Sequence, residues 1–276
     1  MRQDFLTTFI PCVAKTALTG KRIFSYLLPS KTAFFSKPYL TKVPGCTHNC
    51  KGFPNLTKAQ LGGLMKQCYE AGVQLYTHAN GDGAIDLFLE THQSVIDSMP
   101  TVPNDLRSVI IHSQFVRPDQ LALYQKHKMI PAYFTNHAFF WGDTHLANLG
   151  EERASFLSPM KTTMDMGIVC TNHTDFAVTP IDQLFLLWTA VNRTTRSGII
   201  LGEGERLTPY EGLKAITINS AYQHKQEHLK GSIKAGKLAD FVILAENPLT
   251  VSVDELKDMT VLETIKEGEV IYSRKE

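Results

Sequence analysis

Three apolar runs in this chain end on groups that can carry a proton or hold a metal. "VQLYTHANGDG" (Val73 to Gly83) reaches His78, "SVIIHSQ" (Ser108 to Gln114) reaches His112, and "GIVCTNHTD" (Gly167 to Asp175) ends on Asp175. A run this apolar is ordinarily a buried strand, so a titratable side chain at its end faces the loop that follows. Two imidazoles and a carboxylate suit a borderline divalent ion such as zinc. Such an ion brings the pKa of a bound water toward neutrality, and a carboxylate beside it takes the proton, which is a hydrolytic device. Each histidine alone also fits a hydrogen-bonded core position. The recurrence on three separate strand ends is what favours a shared site.

Other polar residues lie near these ends. His173 precedes Asp175 by two residues and either touches substrate or supports its neighbours. Asn136, His137 and Trp141 either line a pocket, giving it an aromatic wall and a polar contact, or belong to a plain surface loop. Asp82 is expected to cap the helix after His78. His92 sits in an apolar helical stripe and is expected in the core. "CTHNC" (Cys46 to Cys50) sets two thiols around His48, as a small zinc site or an ordinary loop. The lack of a second ligand pair nearby favours the loop.

The elements that must position these residues follow a βα rhythm. Thr57 is placed to cap a helix with Leu61, Leu64, Met65 and Cys68 on its apolar face, and Gly72 ends it. Strands are expected at Val73–Thr77, Ser108–Ile111, Ile130–Phe134 and Ile168–Thr171. Helices are expected at Gly83–Ser98, from Pro118, from Glu151 to about Met166, and from Pro180 with Ile181, Leu184, Phe185, Trp188 and Val191 inward. Thr208-Pro209-Tyr210-Glu211 is a capping box with proline at the first helical position. Short apolar strands alternating with helices predict a parallel sheet, doubly wound or closed as a (β/α)8 barrel. Both place chemistry at the carboxyl ends of the strands. No strand is followed by a Gly-rich phosphate loop, which counts against the doubly wound form and against a nucleotide-cofactor enzyme.

Residues 1–55 are broken by five prolines and read as irregular, with one strand near Arg22–Tyr26. Residues 56–222 carry the βα units. Residues 223–276 change texture: "GSIKAGKLADFVIL" leads into a strand and "VLETIKEGEVIY" into a hairpin around Glu267-Gly268, a small β domain.

The bulk properties set limits. The chain has 276 residues, is 43% hydrophobic and 20% charged, and carries a net charge of +1. It is long enough for a substantial core, and its near-neutral charge calls for neither nucleic acid nor an anionic membrane. No apolar run reaches the length of a bilayer span. The N-terminus only partly follows a signal-peptide pattern, with Asp4 in its charged region and Pro11 in its apolar stretch, so a cytoplasmic location is expected over secretion. Five scattered cysteines, an odd number, predict reduced thiols.

"YTHANGDGAID", "IIHSQFV", "FTNHAFFWGD", "TNHTDFAVTP" and "GSIKAGKLADFVIL" together resemble the metal-dependent amidohydrolases, specifically amidohydrolase family 3 in its N-substituted formamide deformylase branch. The likeness runs from about Phe34 to Tyr272. It implies a (β/α)8 barrel beside a β-sandwich built from both chain termini, with one or two divalent ions, most often zinc, at the barrel rim. His78 would match the fifth-strand ligand and His112 the sixth-strand ligand. Asp175 would match the eighth-strand aspartate that touches metal and acts as general acid and base. Lys21 in "GKRIF" falls near the fourth-strand lysine that bridges two metals when carboxylated.

The chain departs from this pattern in one large respect. The family's first strand carries an H-x-H metal pair, and no H-x-H occurs in this sequence. Four βα units cannot close an eight-stranded barrel and leave strand edges to be covered by a partner or by self-association into a homo-oligomer. The expected fold is therefore roughly the second half of a (β/α)8 barrel with a C-terminal piece of the β-sandwich. The expected activity is hydrolysis of carbon–nitrogen bonds other than peptide bonds in small amides, formamides or cyclic amides, impaired by truncation. The alternative is a non-catalytic half-barrel that serves as a binding or assembly element.

Overall fold

The structure, a computed structural model, describes residues 34–41 and 49–275. Lys21, the strand expected near Arg22–Tyr26, the signal-like N-terminus, and Cys46 and His48 of "CTHNC" lie outside the described residues. The chain divides into two compact units. Among the described residues, the first takes those up to 133 with 144–159 and 166–168, and the second takes 134–143, 160–165 and those from 169 on.

In the first unit Thr57 starts α1 (Lys58–Glu70) through a reciprocal capping box. Its hydroxyl accepts from Gln60 N at 3.3 Å, and Gln60 Oε1 accepts from Thr57 N at 3.0 Å. Gly72 leaves the helix at φ 65°, a conformation glycine takes at no steric cost. Then come β1 (Tyr76–Ala79), α2 (Asp82–Ser98), β2 (Val109–His112), α3 (Pro118–His127) and β3 (Ile130–Tyr133). β1 pairs parallel with β2, Tyr76 opposite Val109, and β2 pairs parallel with β3, Val109 opposite Ile130. Parallel strands need crossover helices, and α2 and α3 supply them. Met65 and Tyr69 of α1, Ile85 and Phe88 of α2, Leu121 and Tyr124 of α3, and Val109 and Ile110 of β2 are fully buried.

β1 lies later than expected, so His78 is its third residue and Ala79 its last. Val73, Gln74 and Leu75 precede the strand, and pairing starts only where β2 runs alongside. The expectation of reduced thiols fails, because Cys50 and Cys68 are both disulfide-bonded. Cys170 is a buried thiol. The sequence pattern missed this because pairing is set by Cα proximity in the fold, which spacing does not reveal.

The second unit holds the start of α4 (Asn136–Leu149), then α6 (Met160–Asp165), the two-residue strand β4 (Thr171–Asn172), α7 (Gln183–Asn192), α8 (Pro209–Ile216) and α9 (Ile218–Gln223); α5 (Glu151–Ser155) belongs to the first unit. A single helix expected over 151–166 is thus two short ones. Pro159 interrupts it, with Ser158 before it at φ 47°. α4 occupies a stretch for which no helix was expected. α7 begins later than expected, with Asp182 as its N-cap accepting from Phe185 N at 2.8 Å, so Ile181 stays outside the helix at 65% exposed. Leu187, Trp188 and Val191 of α7 pack with Leu256 and Met259 as the core of this unit.

β5 (Phe241–Leu244), β6 (Val261–Lys266) and β7 (Glu269–Ser273) form a separate three-stranded antiparallel sheet in that order, turning at Glu267-Gly268 as expected. Among the described residues no helix is long and apolar enough to cross a membrane.

Candidate functional site

The first unit brings two of the expected residues together. His78 and His112 reach the carboxyl ends of neighbouring parallel strands, one residue out of step, since Ala79 is the residue opposite His112. Their rings stand edge to face at 4.6 Å between centroids. Burial pushes the His78 imidazole down to about 4, so it is neutral at pH 7 and carries a lone pair. The strand end is bent sharply: His112 has φ 70° and Ser113 φ 43°. The buried Ser113 hydroxyl lies 2.9 Å from the Tyr124 hydroxyl, and Phe115 N donates to Asn80 O at 2.9 Å. That last bond ties the loop after β1 to the loop after β2 and fixes the pair.

Asp82 does less capping and more strapping than expected. It is the first residue of α2, behind an N-cap glycine, and its carboxylate accepts from Gly83 N at 2.9 Å. The same carboxylate takes Ser36 N at 2.9 Å, the Ser36 hydroxyl, and Arg117 Nη1 at 3.2 Å. Arg117 also forks onto Asp86 at 2.8 and 2.9 Å. The segment around Phe34 runs hard against this turn: a Cβ at Gly81 would lie 2.0 Å from Phe34 O.

Two residues near the pair carry no signal that the sequence reading used. Asn80 Oδ1 is buried and accepts no hydrogen bond among the described residues. His145, on α4, is 2% exposed with Nε2 3.0 Å from Gln114 Nε2, and burial holds its ring down at about 4. Its neighbour Gln114 lies two residues past His112, a proximity that only the fold creates.

The second unit gathers the rest. His173 stacks on Phe134 at 5.4 Å, and His137 meets the same ring edge-on at 4.7 Å. Trp141 lies 4.7 Å from His137, one helical turn on. His137, Trp141 and His173 are all half-buried, so this is an aromatic wall with accessible edges. Asp175 N donates to His173 Nδ1 at 3.1 Å, which leaves the proton of a neutral ring on Nε2. Asp175 has φ 51°, and burial raises its carboxyl to about 6. A carboxyl in that range gives and takes protons near neutrality.

Asn136 is engaged inward. Its Nδ2 donates to Thr179 Oγ1 at 3.0 Å, and its Oδ1 accepts from Thr189 Oγ1 at 2.9 Å. Thr189 meets Thr135, and Asn172 clasps Thr135 through its N–H at 3.1 Å and its hydroxyl at 2.8 Å. All five side chains are buried. The network locks the start of α4, the end of β4 and α7 to one another, and so sets the backbone that presents His173 and Asp175.

The fit of a divalent ion can be judged from this geometry. Two imidazoles on adjacent strand ends, the His78 ring neutral, fit as ligands. Among the described residues, no group of three or more His, Cys, Asp or Glu is set to hold a metal. The pair therefore supplies part of a ligand set.

These features define a class. Residues 14–272 match the family described as amidohydrolase family, and the chain belongs to that family. The match starts some twenty residues before Phe34, where the recognisable motifs begin. Among curated relatives, the chain is 28% identical over 232 residues to the N-substituted formamide deformylase of Arthrobacter pascens, covering 83% of this chain and 42% of that one. It is 29% identical over 252 residues to the protein LONG AFTER FAR-RED 3 of Arabidopsis thaliana, covering 89% and 41%. Among solved structures it is similar to a metal-dependent hydrolase from Pyrococcus horikoshii OT3, with a TM-score of 0.68 at 24% identity over 81% of this chain and 43% of that one. The chain spans about two fifths of the length of the curated relatives it matches. The structural likeness shows the fold: part of a (β/α)8-type architecture with a small β unit.

Proposed function

We propose that this chain carries part of the active site of a metal-dependent hydrolase of carbon–nitrogen bonds other than peptide bonds. The observation that supports it most is the His78–His112 pair, 4.6 Å apart on adjacent strand ends of an amidohydrolase-family chain. In this reading His78 and His112 hold a divalent ion, most often zinc, with further ligands supplied from outside the described residues. Such an ion, when bound, polarises a carbonyl and makes water a nucleophile near neutral pH. Asp175 takes a proton from the attacking water and delivers it to the leaving amine. Its raised carboxyl suits both transfers. His173 is held by the Asp175 backbone, and with His137 and Trp141 it offers an aromatic wall to the substituent of a small amide, formamide or cyclic amide. Asn136 acts through the loop it anchors.

The test is hydrolysis of a panel of small N-substituted formamides and cyclic amides by the purified chain with added zinc. Asp175→Asn is expected to lower turnover by about 10²–10⁴-fold while sparing much of the zinc binding. Full turnover in that variant sinks the role given to Asp175. The incomplete ligand set among the described residues favours a second reading, a binding or assembly element without turnover. Zinc uptake with no hydrolysis of any panel member would select it.

A further inference from the structure

A second pair of histidines lies at the other end of the same strands. His92 of α2 and His127, the last residue of α3, have ring centroids 4.8 Å apart at 75°. They line a cavity of about 120 Å³ with Ile96, Pro103, Asp105 and Leu106. Ser108 precedes β2 and His127 precedes β3, so this cavity is at the amino-terminal ends of the strands. His112 closes the far end of β2, about 13 Å away along four strand residues.

One ring is fixed from behind. His92 Nδ1 lies 2.7 Å from the Tyr69 hydroxyl, which lies 3.1 Å from the Ser108 hydroxyl. Burial raises Tyr69 to about 12, so it stays protonated. The chain can run in either direction, and the tautomer in which Nδ1–H donates to Tyr69 and Tyr69 to Ser108 leaves the lone pair of His92 on Nε2 for an ion. A metal-binding histidine usually donates its other ring N–H to a carboxylate, carbonyl or water that fixes tautomer and orientation, and the Tyr69 hydroxyl takes that place here. Burial lowers both rings, His92 to about 4, so neither needs to lose a proton at pH 7.

The spacing fits one ion. A zinc–nitrogen bond of about 2.0–2.1 Å places the ion about 3.2 Å from each ring centre, so two imidazoles on it stand about 5 Å apart at tetrahedral angles. Of the charges around the cavity, Lys126 opposes positive charge at His127 and Asp97 favours it. Lys126 and Lys128 are exposed and screened by water, and Arg107 is paired with Asp105 at 3.0 Å.

We propose that His92 and His127 form a two-imidazole site for zinc or a similar borderline divalent ion, with water at its remaining positions. It is separate from the His78–His112 pair and takes no part in hydrolysis.

The experiment is a titration of the full chain with zinc alone, near pH 7, against a competing chromophoric chelator. In His78→Ala/His112→Ala, one zinc is expected to remain. Adding His127→Ala to that background is expected to weaken it at least about tenfold, the scale of losing a ligand or its support. Tyr69→Phe on the same background is a second variant, which keeps the ring packing and removes the hydroxyl. It is expected to weaken zinc about tenfold, with unchanged far-ultraviolet circular dichroism. The proposal is overturned if the His78→Ala/His112→Ala chain binds no zinc, or if its zinc affinity is indifferent to both His127→Ala and Tyr69→Phe. Neither outcome bears on the role of Asp175, which is read by hydrolysis.

Discussion

Asp175 combines a chemical and a conformational demand. Its φ of 51° lies in the left-handed region, which aspartate and asparagine tolerate and alanine resists. Asp175→Asn therefore removes the carboxylate and keeps the backbone, whereas Asp175→Ala adds about 1–2 kcal/mol of strain. The two variants should match in turnover but not in urea midpoint. His145 gives a prediction about pH. Its ring is held at about 4 in the fold against an ordinary value near 6.5, so the unfolded chain binds the extra proton first. The stability this neutral ring confers is complete above about pH 6.5 and is lost as pH falls toward 4, on the order of 3 kcal/mol in all. Urea denaturation across that window should show the loss, and His145→Gln should flatten it. At this scale the sequence reveals His78 and His112 because an apolar run ending in histidine is conspicuous. It hides the occupation of Asn136, whose partners Thr179 and Thr189 lie 43 and 53 residues away.

Elements are legible where their signals are local. The capping boxes at Thr57–Gln60 and Thr208–Glu211 form as their spacing predicts, because each closes within one turn. α4 is not legible: "NHAFFWGDTHLANL" is apolar around much of its circumference and shows no clean stripe. The turn between β1 and α2 is legible only as glycine-rich. What it does requires Phe34, whose carbonyl occupies the space of a side chain at Gly81. Gly81→Ala is thus expected to displace the segment at residues 34–36 and free the Ser36–Asp82 contact, costing about 1–3 kcal/mol as an overpacked site does. Limited proteolysis should then cut near Ser36 much faster, while Gly63→Ala, with open space around it, should leave cleavage unchanged.

Taken whole, the chain is a family member that spans about two fifths of its curated relatives and carries a small sheet with much apolar surface in water. Val270 and Ile271 of β7 are 55% and 62% exposed. A lysine at Ile271 should leave the urea midpoint within about 0.5 kcal/mol, since a surface exchange removes little burial. It should also reduce concentration-dependent association in sedimentation runs, because charge on an edge strand opposes edge pairing. Unchanged association would place self-contact elsewhere. The parallel architecture was legible from rhythm alone. The linkage of the cysteines was not, because it depends on which side chains the fold makes neighbours. That linkage has a practical corollary. A preparation handled in dithiothreitol is covalently a different molecule from one purified in air, since Cys50 and the fully buried Cys68 of α1 would both be cut loose. The reduced form should melt earlier, by an amount on the order of 2–4 kcal/mol. Matched melting curves with and without reductant would show how much of the first unit's cohesion is written in sulfur.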